Sequence, residues 1–430
     1  MSSIQSGTQT AIEESFSART SRGAELMSRA ARVMPGGVTR GHGFHLPYPA
    51  VMDRGEGCYL WDVDGNRYVD LVNNGLAMIH GHAFRPVIQA LADRLPKSWG
   101  WVGASLPQIE FAETLCHRLG TFDRVLLTNS GTESGMLAVK LARRFSRKPL
   151  ILKQRAGYHG SYSDLEAGLD GRGELPGHTL LAEFNDLASY ERKLIEYKGQ
   201  IAAIVVEPVM FTGVTILPEK SFLSDLQQLA RSYGTLFVLD DCLMLRLAYG
   251  GSAQKFGLTP DLTFLGKFLG GGTPVGAVGG RAEILEITNP HRENALYHGG
   301  SYNGNILGSL AGRVTLEHLT QEKIDVMDAH TGAIRQAVEI KARQLGLPLT
   351  VQQIGSVMGV FFTREPLRPG SEIPNASLAM SFHLACANNG IHITREGSFA
   401  LNTAVDDRAL QEVISGMSNA LEQVAVVADL

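Results

Sequence analysis

The chain has 430 residues, enough for one large core or two domains. Its 39 Lys and Arg against 43 Asp and Glu give a net charge of −4, so no cationic excess exists to neutralise phosphates and nucleic acid is not an expected partner. The N-terminal twenty residues hold no apolar signal core, no apolar run approaches the ~18–20 residues of a membrane span, and the four cysteines (Cys58, Cys116, Cys242, Cys386) form no C-x-x-C pair; a soluble, cytoplasmic protein with reduced thiols, no membrane partner and no metal site is expected.

The first ten residues are polar and read as loose. In "SRGAELMSRAARVMPGG", Leu26, Met27, Ala30, Val33 and Met34 recur at helical spacing until Pro35-Gly36-Gly37 stops the pattern. "CYLWDVDGNRYVDLV" alternates apolar and polar residues about Asp64-Gly65, a hairpin signal. From Arg124 the rhythm changes. "RVLLT", "PLILK", "IAAIVVEP", "TLFVLDD" and "LTFLGK" are short apolar runs, several of them separated by amphipathic stretches such as "ESGMLAVKLARRF" and "SFLSDLQQLARSYG". Such alternation predicts a mostly parallel sheet buried on both faces. Beyond His318, helical and short strand patterns mix and end in a helix from Asp406. Residues 1–80 and 319–430 are expected to share a small α+β domain, and residues 81–318 to form a large α/β domain. Gly, at 48 residues against a usual share of about 7%, points to many tight turns and close backbone approaches.

In an open α/β sheet, ligands bind beyond the carboxyl ends of the strands. The residues that end these runs, Ser130, Glu207, Asp240 and Lys267, therefore carry the most information. "LLTNSGTESGMLAVK" passes from strand to helix through Asn129-Ser130-Gly131-Thr132, which suits either a phosphate at the helix N-terminus or a plain helix cap. Asp240, ending a buried strand, has to be paired or hydrogen-bonded, as a ligand partner or as a structural cap. Lys267 is either an exposed strand-end lysine or, if desolvated, a nucleophile for carbonyls. The glycines at 270, 271 and 272 admit a close backbone approach to a bound group or build a turn. Gly266-Lys267 does not end a P-loop, because Phe268 follows and Asp261 stands at the first glycine's place, and no G-x-G-x-x-G opens a helix after a strand.

A phosphate cradle, a strand-end carboxylate and a strand-end lysine, in that order, are what pyridoxal phosphate requires. At these residues the chain resembles the class III, fold type I pyridoxal-phosphate aminotransferases. The resemblance runs through "WDVDGNRYVDLVNN", "IHGHAFRP", "NSGTES", "YHGSYSD", "VVEPV", "PDLTFLGKFLGGGTPVGAVGG" and "HGGSYNGN". Within the class, "MPGGVTRG", "LRLAYGG" and "ITREGSFAL" make it similar to glutamate semialdehyde aminomutases and, more closely, to β-amino-acid aminotransferases.

The resemblance implies a Schiff base between Lys267 and the cofactor, with Lys267 also moving the substrate's proton. It implies Asp240 on the pyridine nitrogen, Ser130, Gly131 and Thr132 on the phosphate, Tyr158 stacked on the ring and Glu207 near the cofactor. Ser301 stands where Thr is usual and would reach the phosphate of the neighbouring subunit, so a homodimer is implied. Arg40 and Arg395 align with arginines that hold substrate carboxylates, a role their bidentate fork suits. The implied reaction is transamination between a β-amino acid or similar carboxylate-bearing amine and a keto acid or aldehyde. The alternatives are an intramolecular aminomutase and a silent cofactor-binding protein. His42, His45, His80 and His82 read as structural, and His159 as support for the Tyr158 loop. The chain departs from the family at Asp241-Cys242, where Glu-Val is common, at the bulky Leu243-Met244-Leu245, and at Met210 and Phe211. Side chains of this size facing the site would make its pocket more apolar or narrower. Trp99 and Trp101 are expected at its entrance.

Overall fold

Apolar runs and amphipathic helices alternate from Arg124 onward, and in the computed structural model, which describes residues 2–169, 173–211 and 213–428, they build one seven-stranded sheet. Its strands are β1 (Arg124–Thr128), β2 (Leu150–Gln154), β3 (Thr179–Ala182), β4 (Ile201–Val206), β5 (Leu236–Asp240), β6 (Leu262–Leu265) and β7 (Gly276–Gly280). The order is β1-β7-β6-β5-β4-β2-β3, and only β7 runs antiparallel to its neighbours. Every residue of β2 to β7 is buried, so both faces are covered and the central strands read as unbroken apolar runs. Helix α1 (Gly131–Ser146) lays Leu137, Leu141 and Ala142 on Val205, Val238, Phe264 and Val278. Each fully buried Leu, Val or Phe side chain contributes roughly 1.5–3 kcal/mol.

The sequence pattern omits β3 and β7. The second is "GAVGG", and the Phe122 ring fills the space a side chain at Gly279 would need, so this strand is held by its neighbours and not by its own bulk.

The chain divides into two compact units. The sheet belongs to residues Arg85–Ile324 with Arg368–Gly370; the other unit comprises Met1–Phe84, Asp325–Leu367 and Ser371–Leu430. In this second unit the strands Tyr59–Asp62 and Arg67–Asp70 pair antiparallel across the Asp64-Gly65 turn, and Ile391–His392 adds parallel to Arg67–Asp70. Asp70, fully buried, joins the two ends of the chain: its carboxylate bonds His82 at 2.7 Å and His392 at 2.9 Å. Burial alone would raise its pKa, but the hydrogen bonds from His392 and His82 outweigh burial and hold it well below the usual carboxylate range. The C-terminal helix runs Asp407–Val427, capped by Asp406.

One expectation fails. The polar N-terminus lies in a helix, Ser2–Arg19, not in a loose segment. Ile12 and Phe16, four apart, are buried at 6% and 2% exposure, and this one-turn apolar pair anchors a helix whose start has no periodicity of its own. Among the described residues no helix is long and apolar enough to cross a membrane.

Candidate active site

The carboxyl ends of β1, β4, β5 and β6 carry Ser130, Glu207, Asp240 and Lys267. Ser130 is the N-cap of α1. Its Oγ accepts the Glu133 N–H at 3.1 Å, while the Glu133 carboxylate accepts the Asn129 N–H at 2.9 Å. The cap is therefore real, and it does not exclude a ligand. Among the described residues, the N–H groups of Gly131 and Thr132 in the first turn have no hydrogen-bond partner. Those donors and the helix dipole make an anion site. Thr132 Oγ1 accepts the Ser161 N–H at 3.2 Å, tying this turn to the loop that carries Tyr158.

The lysine strand meets the same turn. A side-chain carbon on Gly266 would lie 2.8 Å from Gly131 backbone, and one on Gly131 would lie 2.9 Å from the Cys242 sulfur. Only two glycines permit this approach, and it sets Lys267 beside the helix N-terminus. Lys267 itself is half-buried and has φ of +52°, a left-handed conformation uncommon outside glycine and a form of strain that clusters at functional sites. Of the glycines after it, Gly271 serves packing: a side chain there would run into Thr315 and Ala311 of the helix Ile306–His318.

Asp240 is nearly inaccessible. Its Oδ1 accepts the Cys242 N–H at 3.0 Å, and its Oδ2 is bonded by His159 Nδ1 at 2.9 Å. Burial lowers the His159 pKa, which favours the neutral ring with Nδ1 donating to the Asp240 carboxylate. Glu207 is also buried. It accepts hydrogen bonds from Gln154 Nε2 at 3.0 Å and the Tyr158 N–H at 3.3 Å. Burial, reinforced by the charge of Asp240, pushes its pKa up to about 8. The charge of Lys267 acts on Glu207, His159 and Cys242 alike, so these groups share one field. Tyr158 is 43% exposed, a large aromatic surface beside this buried polar cluster.

The structure thus brings together Ser130, Gly131, Thr132, Tyr158, Glu207, Asp240 and Lys267. Ser301 is exposed in the same unit. Arg40 and Arg395 belong to the other unit, where both engage the chain: Arg40 donates to Asn74 Oδ1 at 2.9 Å, and Arg395 to the Phe44 carbonyl at 3.0 Å and the Glu396 carboxylate at 2.7 Å. Cys242, the departure from Val, packs against Gly131 and Gly266. Leu243, Met244, Leu245 and Met210 are all buried, Phe211 is partly so, and Trp99 and Trp101 are exposed. Sequence reasoning missed Lys153 and Gln154, which end an apolar run as Lys267 does; weighing every strand-end polar residue equally would have found them.

These groups fit pyridoxal phosphate. Unpaired N–H donors and hydroxyls at a helix N-terminus suit its phosphate, a fixed carboxylate suits its ring nitrogen, and a half-buried amine suits its aldehyde.

Comparison with known proteins agrees. The family model described as aminotransferase class-III matches residues 43–170 and 172–421. The chain is 34% identical over 432 aligned residues to a glutamate-1-semialdehyde 2,1-aminomutase from Syntrophomonas wolfei, covering 95% of this chain and 99% of that one. An omega-transaminase structure from Sphaerobacter thermophilus superposes with a TM-score of 0.89 at 32% identity, covering 94% and 97% of the two chains. A β-phenylalanine aminotransferase from Variovorax paradoxus gives 0.90 at 27% identity, covering 96% of each.

Proposed function

The chain belongs to the class III aminotransferases, pyridoxal-phosphate-dependent enzymes of fold type I, and from that premise we propose that it transfers the amino group of a β-amino acid or a similar carboxylate-bearing amine to a keto acid or aldehyde. The observation that carries the site is the contact of Gly131 with Gly266, which sets the helix N-terminus beside Lys267 while His159 fixes Asp240 close by.

Bound pyridoxal phosphate supplies a carbonyl that condenses with amines and a ring that accepts the electron pair left on the substrate carbon when its proton departs. The protein's residues do the rest. Lys267 Nζ would hold the cofactor covalently and would carry the proton of the substrate carbon. Asp240, fixed in place by the hydrogen bond from His159, would face the ring nitrogen and keep a proton on it. Gly131, Thr132 and the Ser130 hydroxyl bind the phosphate. Tyr158 would meet the ring, and Glu207 accepts the Tyr158 N–H behind it. Arg40 and Arg395 hold the substrate carboxylate; Phe44 links the second to the segment that carries the first.

The protein works as a homodimer in which Ser301 serves the partner's phosphate site. The exposed apolar side chains Trp99, Trp101, Val102, Tyr297 and Tyr302 support this assembly, since a second copy would cover them.

A second reading, an aminomutase, is favoured by the likeness to the Syntrophomonas wolfei protein. One experiment separates the two. The protein is incubated with each donor alone, then with a keto acid added, while cofactor absorbance and product are followed. A transaminase stops after one equivalent until the keto acid arrives; an aminomutase continues to isomerise its substrate without one.

A further inference from the structure

Lys153, at the end of β2, is fully buried. Its ammonium donates to three main-chain carbonyls: Gly157 at 2.8 Å, Leu165 at 2.9 Å and Ala167 at 2.7 Å. Three acceptors within bonding distance require three donors, which only the charged amine has. Burial brings its pKa down to about 8, opposed by the charges of Glu207 and Asp240.

The segment so held is the one that carries Tyr158 and His159. The Gly157–Tyr158 peptide is gripped from both sides, its oxygen by Lys153 and its N–H by Glu207. Gln154, next to Lys153, bonds Glu207 in turn: its Nε2 donates to the carboxylate, and its Oε1 accepts the Glu207 N–H at 3.1 Å. The next residue, His159, bonds Asp240. The last two residues of β2 therefore fix the loop through two routes, one direct and one through Glu207. A backbone shift at Gly157 would displace the aromatic face of Tyr158 and loosen the His159 bond to Asp240 together.

We propose that Lys153 is a positioning residue for the cofactor ring, its ammonium setting the main chain on both sides of Tyr158 and His159. The proposal rests on the reading above that Tyr158 meets the ring.

The test compares full-length wild type, Lys153→Met, Lys153→Arg and Tyr158→Ala by two readouts. One is the dissociation constant for pyridoxamine phosphate, which makes no covalent bond to Lys267; the other is amide hydrogen exchange. Lys153→Met is expected to bind about tenfold more weakly, the size of one lost charge-assisted hydrogen bond. Exchange should rise at residues 157–161 and stay unchanged in helix α1, and Lys153→Arg, which keeps charge and donors, should recover part of the affinity. Wild-type affinity in Lys153→Met, or exchange raised evenly across the sheet, overturns the proposal. Should Lys153→Met fail to fold, Lys153→Gln, which retains one donor group and most of the stem, decides by the same readouts. If Tyr158→Ala binds as tightly as wild type, the reading of Tyr158 fails, whatever Lys153→Met does.

Discussion

His159 Nδ1 lies 2.9 Å from Asp240 Oδ2, with both side chains out of reach of solvent. The bond fixes the carboxylate in one place, and a carboxylate so fixed is what a pyridine nitrogen needs in order to stay protonated. Asp240→Asn keeps the shape and removes the charge. It is expected to bind cofactor yet lose roughly hundredfold or more in kcat, the equivalent of about 2.7 kcal/mol. Steady-state kinetics on samples with cofactor occupancy confirmed by absorbance measure this, and an unchanged kcat would remove Asp240 from the mechanism.

Lys267→Ala should abolish turnover and the visible band of bound cofactor, and dialysis should strip the cofactor from the variant. Residual turnover near the wild-type rate, measured after removal of any co-purified native enzyme, would contradict the covalent role.

Ser301 is proposed to reach the partner's phosphate site, and mixed dimers test this. Lys267→Ala and Ser301→Asp homodimers should each be inactive, the second by repelling phosphate. Co-expressed with two tags, they should give hybrids with one intact site, and the random mixture should regain about a quarter of wild-type activity. No recovery would mean that each chain serves its own phosphate.

Arg40→Ala and Arg395→Ala should raise KM for carboxylate-bearing amines by about ten- to a hundredfold, the scale of a lost bidentate ion pair. Turnover of an amine lacking the carboxylate should change little. Equal loss on both amines would point to a structural role, one consistent with the bonds to Asn74 and Phe44.

Glu207 links the site to stability. Its folded pKa is raised to about 8 from an ordinary carboxyl value of 4.5. Between those values the folded state binds more protons than the unfolded one, so this group's contribution to stability falls as pH rises through the window. Asp241, raised to about 7 by burial, acts in the same direction over a narrower range. Melting temperatures from pH 5 to pH 9 should therefore fall less steeply in Glu207→Gln than in wild type. Parallel curves would show that Glu207 ionises normally.

The chemistry was legible in the chain itself. Ser130, Asp240 and Lys267 follow continuous apolar runs, and a polar group at the end of a buried strand emerges on the ligand side of a parallel sheet; their position was readable from the runs, while the roles proposed for them come from the family resemblance. The Asp64-Gly65 hairpin and the C-terminal helix capped by Asp406 were readable for a similar reason, since their signals span only a few neighbouring residues. What no local pattern carries is a contact between distant segments. Strand β7 has almost no side chains and exists because Phe122 and two flanking strands hold it. The polar start of the N-terminal helix is fixed by Ile12 and Phe16 farther along. The meeting of Gly131 with Gly266, the grip of Lys153 on three carbonyls and the bond between His159 and Asp240 join residues up to 135 positions apart. Only the folded packing decides them, because bare backbone, buried charge and a neutral imidazole acquire their roles from what lies across the space between strands.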